Sequence, residues 1–359
     1  MFHFLVSIAL IASISPISST ISTTLCDAYS DEIINDSAEK NHYEEPEALL
    51  KDGYSSESYS TVGSTLPVVE YDYTTKSLTT MDISYSESGY ASTPSKYIKG
   101  ENGYYTFSPK NCNTINSVKD NLVATDYADR SYSMLSSIGQ LSTISGGKTY
   151  YGSCFTVASN LILTAAHCLY ENKQFASSPI AWFDLYEITQ ENGKRVNRWS
   201  DQATIEKVIM PKAYYDCDDA DSNIGKDNDW CICVLKYDIG NEFGYLSIAS
   251  GYTMANCYNF ACGYPVDVSD SRKSQLCYSA AFETNVKYPS SKNVFSLNNY
   301  VLGGMSGGPE IFYYEDAMTF EQYEGVSSIL TRRSDLDGHG YSVKVTNQMI
   351  ETLKEAQRL

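Results

Sequence analysis

Residues 131 to 359 hold only short apolar runs, broken by Gly, Asn, Asp and Pro, and this punctuation constrains the fold more than any other feature. Phe155-Thr156-Val157, Leu161-Ile162-Leu163, Ile205 to Met210, Ile232 to Leu235 and Val326 to Leu330 each have the length of one strand. Many short strands separated by turn residues describe an all-β barrel or sandwich. A helix is expected at the C-terminal end, where Thr346 can cap it and Met349, Ile350, Leu353 and Ala356 share one stripe. With 359 residues and 42% apolar content, the chain can bury a sizeable core as one large domain plus a smaller segment, or as two domains.

The N-terminal part has a different texture. Phe2 to Ile14 form an apolar run followed by Ser15, Pro16, Ser18 and Ser19. That run is too short for a comfortable membrane span and reads as a signal peptide, residues 1–22. Residues 27 to 118 carry 15 Asp and Glu against 6 Lys and Arg, so about half of the net charge of −18 sits in a quarter of the length. Ser, Thr, Tyr and Gly dominate there, although Leu66-Pro67-Val68-Val69-Glu70-Tyr71 has the pattern of a strand. Residues 23–118 are therefore expected to be an acidic propeptide or solvated extension without a core of its own. The acidic balance excludes nucleic acid as a partner, because phosphate binding needs clustered Lys and Arg. No other stretch is long and apolar enough to cross a bilayer, so the mature protein is expected to be soluble; with the signal peptide it is expected to be secreted (extracellular), and a monomer is expected. Ten cysteines in a secreted chain point to disulfides. Asn35-Asp36-Ser37 is a glycosylation sequon.

Three motifs carry chemistry. Leu163-Thr164-Ala165-Ala166-His167-Cys168 offers an imidazole, and Gly303-Gly304-Met305-Ser306-Gly307-Gly308-Pro309 offers a hydroxyl among glycines. A serine hydroxyl is a poor nucleophile at neutral pH. It needs an imidazole to take its proton and a carboxylate to fix the imidazole tautomer. Glycines around the serine keep backbone N–H groups open toward a developing oxyanion. Asp229, which directly precedes the apolar strand Trp230 to Leu235, and nearby Asp227 are carboxylates that could serve.

These motifs, in the order His, Asp, Ser, resemble those of the chymotrypsin/trypsin-like serine peptidases. The Asp229-Trp230 strand, Asp129-Arg130, Gly263-Tyr264-Pro265 and Gly325-Val326-Ser327 resemble the V8-like glutamyl endopeptidase branch. The resemblance covers roughly residues 119 to 359. It implies a double six-stranded antiparallel β-barrel with a C-terminal helix, and a secreted serine endopeptidase acting on protein or peptide substrates without cofactor or metal. It further implies His167, Asp229 and Ser306 as a catalytic triad and the N–H groups of Gly304 and Ser306 as the oxyanion hole. It places Cys154 and Cys168 where the family often closes a disulfide behind the histidine. Cys262 with Cys277, and Cys217 with Cys231 or Cys233, are further candidate pairs; Cys26 and Cys112 would serve the N-terminal segment. The alternative is a catalytically inactive homologue that acts as a secreted or surface binding protein.

The sequence also departs from that branch. Where glutamyl endopeptidases place a histidine in the pocket strand, the alignment gives Ser327, so a modest pocket of Val301, Ser327, Ser328 and Ile329 is expected. His339, Arg332 and Arg333 lie downstream as other sources of positive charge. Asp216, Asp218, Asp219 and Asp221 surround Cys217 without the spacing of an EF-hand, and read as a solvated acidic loop.

Overall fold

Leu161-Ile162-Leu163-Thr164 shows how the protein is put together, because every one of these side chains is buried. Successive residues of a strand face opposite ways. Leu161 and Leu163 accordingly join one apolar cluster and Ile162 joins another. The same division recurs at Ile209 against Val208 and Met210, and at Ile232 against Cys231 and Cys233. Strands with two buried faces must stand between two cores.

The computed structural model describes residues 63–87, 92–93, 122–124, 134–189, 195–250, 258–266, 276–279, 282–283, 293–315, 322–333 and 339–358. All lie in the unit Ser60–Leu359. The leader, the sequon, Cys26, Cys112 and Asp129-Arg130 fall outside these residues. In chain order the strands are β1 (Ser64–Asp72), β2 (Leu78–Tyr85), β3 (Leu122–Ala124), β4 (Ile138–Ser145), β5 (Lys148–Thr156), β6 (Leu161–Thr164), β7 (Tyr170–Glu171), β8 (Gln174–Phe175), β9 (Ser177–Thr189) and β10 (Arg195–Pro211). There follow β11 (Cys231–Leu235), β12 (Tyr258–Gly263), β13 (Cys277–Ser279), β14 (Phe282–Glu283), β15 (Val294–Tyr300), β16 (Pro309–Glu315), β17 (Gln322–Arg333) and β18 (His339–Lys344). The α-helices are α1 (Lys212–Asp216), α2 (Asn223–Asp227), α3 (Ile239–Phe243) and α4 (Asn347–Ala356).

The protein is mostly β-strand. The order β11-β6-β5-β4-β9-β10 closes on itself through a β10–β11 pairing, giving a six-stranded antiparallel barrel. A second antiparallel sheet runs β15-β18-β17-β16-β12-β13-β3, an open order among the described residues. Between the two sheets lies a core containing Phe155, Leu163, Trp230 and Ile232 from the barrel side and Phe260, Ile311, Val326 and Ile329 from the other. The C-terminal helix closes this core with Met349, Ile350, Leu353 and Ala356, all buried, and its Thr346 hydroxyl caps the Met349 N–H at 3.3 Å. No helix among the described residues is long and apolar enough to cross a membrane.

The acidic segment is not uniformly solvated. β1 and β2 form a hairpin whose β1 pairs with Lys207–Pro211 of β10, extending the barrel sheet. Leu66, Val68, Val69 and Ile83 of the hairpin are buried in the two clusters. Its turn is held by Asp72, whose carboxylate accepts the N–H groups of Thr74 and Thr75 at 2.7 and 2.8 Å. Asn347 and Gln348 at the start of α4 donate to Ser86 O and the Tyr85 hydroxyl, and Thr93 exchanges backbone and side-chain bonds with Ser247 and Ile248. At about 1.5–3 kcal/mol per buried aliphatic side chain, four such residues contribute roughly 6–12 kcal/mol as an upper bound. The hairpin borrows the barrel's core in place of building its own.

Candidate active site

His167 sits in the 3-10 turn Ala166–Cys168 that ends β6, and Asp229 lies just before β11. The antiparallel register Cys231↔Thr164 carries the two chain ends alongside each other, and the carboxylate meets the imidazole two residues further on. Asp229 Oδ1 accepts the His167 backbone N–H at 2.9 Å, and Oδ2 lies 2.8 Å from His167 Nδ1. The side chain of Asp229 is wholly buried, whereas that of His167 is 29% exposed. Burial alone would raise the Asp229 pKa, but His167 and Arg332 outweigh it and hold the carboxyl below its ordinary value. Burial would likewise lower the His167 pKa, but Asp229, together with Cys168, holds it well above 6.5. Asp227 is engaged elsewhere, accepting the Asn293 N–H at 2.6 Å.

Ser306 lies in the loop between β15 and β16. Met305 N–H donates to Leu302 O and Gly308 N–H to Met305 O, while Gly307 N–H ties the loop to Leu330 O of β17. Gly304 has φ +94°, and a Cβ there would lie 2.5 Å from Tyr264 O, so only glycine fits. Gly307 has φ +85°, and a Cβ there would meet Thr164 Oγ1 and Ser153 O. Among the described residues no acceptor takes the N–H of Gly304 or of Ser306, which leaves both available as donors. Buried Met305 occupies the position before the serine.

One residue that sequence reasoning missed joins the two halves of the site. Buried Ser153 on β5 gives its N–H to Ser306 O at 2.7 Å and its hydroxyl to Gly304 O at 2.8 Å. The same hydroxyl accepts the Tyr264 N–H at 2.9 Å, and Thr164 Oγ1 donates to Ser153 O at 2.8 Å. Only the small Gly152-Ser153 pair in a strand otherwise rich in tyrosine and threonine signalled a close backbone approach. The Ser306 hydroxyl itself donates to Thr331 O at 3.2 Å, and Cys168 Sγ lies 3.7 Å from His167 Nε2.

Two clefts meet at Ser306. The larger, about 510 Å³, is lined by Val301, Leu302, Leu330, Thr331 and Arg332 among others. The smaller, about 150 Å³, is shared by His167, Cys168, Ser306, Gly152, Tyr150 and Tyr151. Of the expected pocket residues only Val301 lines the larger cleft. Ser327, Ser328 and Ile329 are buried instead: Ser327 Oγ donates to Glu310 O, Ser328 shares a hydrogen bond with Ser342, and Ile329 is in the core. The reason is register. The Gly307–Leu330 bond brings the strand to the serine three residues later than the alignment of Ser327 assumed, past a bulge opposite Glu310 and Ile311. In the acidic loop, Lys173 Nζ bonds the carbonyls of Tyr215, Asp216 and Cys217. Among the described residues no cluster of His, Cys, Asp or Glu could hold a metal ion.

The expected Cys154–Cys168 bridge is not formed; none of the seven described cysteines, which include Cys217, Cys231, Cys233, Cys262 and Cys277, is in a disulfide. Cys154 points into the barrel, in the cluster with Cys233, while Cys168 leans over Gly152. A Cβ on Gly152 would lie 2.9 Å from Cys168 Sγ and 3.7 Å from its Cβ. These are about the separations that a disulfide holds between one sulfur or Cβ and the opposite Cβ. Gly152→Cys should therefore pair with Cys168 on oxidation and add roughly 3 kcal/mol in the chain-entropy picture. Non-reducing peptide mapping that recovers both thiols free after oxidation would refute that geometry.

No known family model matches the chain. No curated protein matches it either. Solved structures similar to it include a Glu endopeptidase in complex with MPD, 17% identical over 62% of this chain and 91% of that one, with a TM-score of 0.47. Another is the protease Anisep from Arthrobacter nicotinovorans, 18% identical over 58% and 90%, with a TM-score of 0.43. A third is the scabies mite inactivated protease paralogue S-I1, 12% identical over 66% and 98%, with a TM-score of 0.45.

Proposed function

We propose that the protein is a secreted serine endopeptidase that cleaves proteins or peptides through an acyl-enzyme on Ser306. The observation that carries this reading is the double grip of Asp229 on His167, through the backbone N–H and Nδ1, with Nε2 left on the cleft that Ser306 lines. A carboxylate so placed keeps the proton on Nδ1 and leaves Nε2 basic. His167 then takes the Ser306 proton as Oγ attacks the scissile carbonyl, and gives it to the leaving amine. The free N–H groups of Gly304 and Ser306 receive the oxyanion, each such donor being worth on the order of 10²–10³ in rate. Before attack the Ser306 hydroxyl must turn from Thr331 O toward Nε2.

A fluorophosphonate tests the assignment, since only an activated serine reacts with it. Labelling of Ser306 is expected, with a rate that rises with pH through one ionisation above 6.5, the ordinary imidazole value over which His167 is raised. Absence of labelling in the folded protein would favour the second reading, an inactive binding homologue. The outward turn of the Ser306 hydroxyl is the observation on that side.

Maturation follows from the same reading. Residues 1–22 would leave as a signal peptide and cleavage would fall between about Val118 and Ser131. The hairpin favours a permanent extension over a departing propeptide for residues 64 to 93. Native mass spectrometry of the cleaved protein should find that segment still bound and released only by denaturant. Its loss from an active, folded product would mark it as a detachable propeptide.

A further inference from the structure

Arg332 is a cation at the end of β17, on the wall of the larger cleft, in a chain with 26 basic residues against 44 acidic ones. Its guanidinium makes three contacts. One is an ion pair with Asp221 in the acidic loop, and another is a 2.6 Å bond to Ala220 O. The third brings Nη2 to 3.9 Å from Asp229 Oδ2, the same oxygen that faces His167 Nδ1. The side chain is only 22% exposed. The carboxylate that orients the imidazole is thus shared between two cations.

We infer that Arg332 is a positioning residue of the proposed triad: held by the acidic loop, it draws on the charge of Asp229 and thereby sets the basicity of His167. This rests on the reading of His167 and Asp229 given above. The other groups around the pair cannot replace it. Tyr214 of α1 faces Asp229 but burial, then Asp229 itself, push its hydroxyl far above the neutral range. Cys231 of β11 is held as a thiol chiefly by burial. Cys168, on the histidine's own turn, carries no positive charge, and Asp221 is three-quarters exposed, so solvent screens it. Among the described residues Arg332 is the cation besides His167 that acts on Asp229. A cation beside the carboxylate weakens its pull on imidazolium, so His167 stays neutral, and able to accept a proton, at lower pH than it would with Asp229 alone. The acidic loop also acquires a role: Asp221 and Ala220 hold the guanidinium where it can reach Oδ2.

The test follows the His167 imidazole Cε1–H by NMR titration in the wild-type protein and in Arg332→Met and Arg332→Lys. The methionine variant is expected to move the His167 midpoint up by about 0.5–1 pH unit, while lysine stays near wild type because it keeps the charge. In turnover, Arg332→Met should lower kcat/KM by about 3–10-fold below the midpoint and less than twofold well above it. Arg332→Gln, which can still donate to Ala220 O, gives the same reading if the methionine variant does not fold. An unmoved midpoint in a folded uncharged variant would overturn the inference. So would a lysine variant that shifts as far as methionine, or a loss of kcat/KM equal at all pH values, which marks a merely structural role. The titration needs no turnover. A moved midpoint in a protein that fails to react with the fluorophosphonate would sink the peptidase reading and leave the coupling standing.

Discussion

Ser306→Ala is expected, on the proposed peptidase reading, to lower kcat by about 10⁶, the scale on which losing the nucleophile of a serine protease removes the covalent route. What persists should be a residual rate over water of about 10³–10⁴ from the oxyanion donors and binding. Stability should hardly change. Ser306 is half-buried, and its hydroxyl makes one bond, to Thr331 O, at a surface where substitutions usually fall within about 0.5 kcal/mol. A purified Ser306→Ala protein that turned over peptides within tenfold of wild type would remove Ser306 from the mechanism. A large fall in Tm would mean the hydroxyl has a structural duty that the hydrogen bonds do not reveal.

Asp229→Asn should cost about 10⁴ in kcat, the loss seen when the carboxylate of a Ser-His-Asp triad is made an amide. The cause is specific here. An asparagine oxygen can still accept the His167 N–H, but its NH₂ would face Nδ1 and force the proton onto Nε2, where Ser306 needs a base. The pH behaviour should move as well. Without the carboxylate the main influence that offsets burial is lost and only Cys168 remains against it, so the His167 ionisation should fall. The stability difference between wild type and variant has a definite window. Asp229, lowered from 3.8, contributes above that value and loses its contribution as pH falls through the folded pKa. His167, raised from 6.5, contributes fully below that value and loses its contribution as pH rises through its folded pKa. The variant should therefore be weakest relative to wild type between about pH 4 and 6.5, by roughly 1.5–3 kcal/mol. A loss of activity below tenfold would take the orienting role away from Asp229.

Local pattern was enough to read the strands, the capped C-terminal helix and the three motifs, because each depends on residues close in sequence. Thr346 and the stripe from Met349 to Ala356 are one such case. What escaped depends on distant partners. Ser153 becomes important only because β5 passes under the Ser306 loop, 153 residues later in the chain, and nothing in its own neighbourhood requires that. The pocket wall was placed at Ser327 to Ile329, whereas a bulge and the Gly307–Leu330 bond shift the cleft to Leu330, Thr331 and Arg332. Polar composition concealed the hairpin, since its four buried apolar residues find their core in the barrel and not in their own segment. The cysteine pairing failed for a reason of offset along the strand. Cys168 lies against position 152, and Cys154, two residues further on and facing the same way, is out of its reach.

That vacant pairing has a use in inhibitor chemistry. On the peptidase reading, an inhibitor seated in the smaller cleft beside Ser306 would lie against the half-buried Cys168 sulfur, in a cleft that Tyr150 and Tyr151 also line. A mild electrophile built into it, such as a chloroacetamide or an acrylamide, would find a second anchoring atom independent of the serine. Potency would then come from recognition and residence time from the sulfur. In Gly152→Cys the bridged cysteine would deny the same compound its anchor.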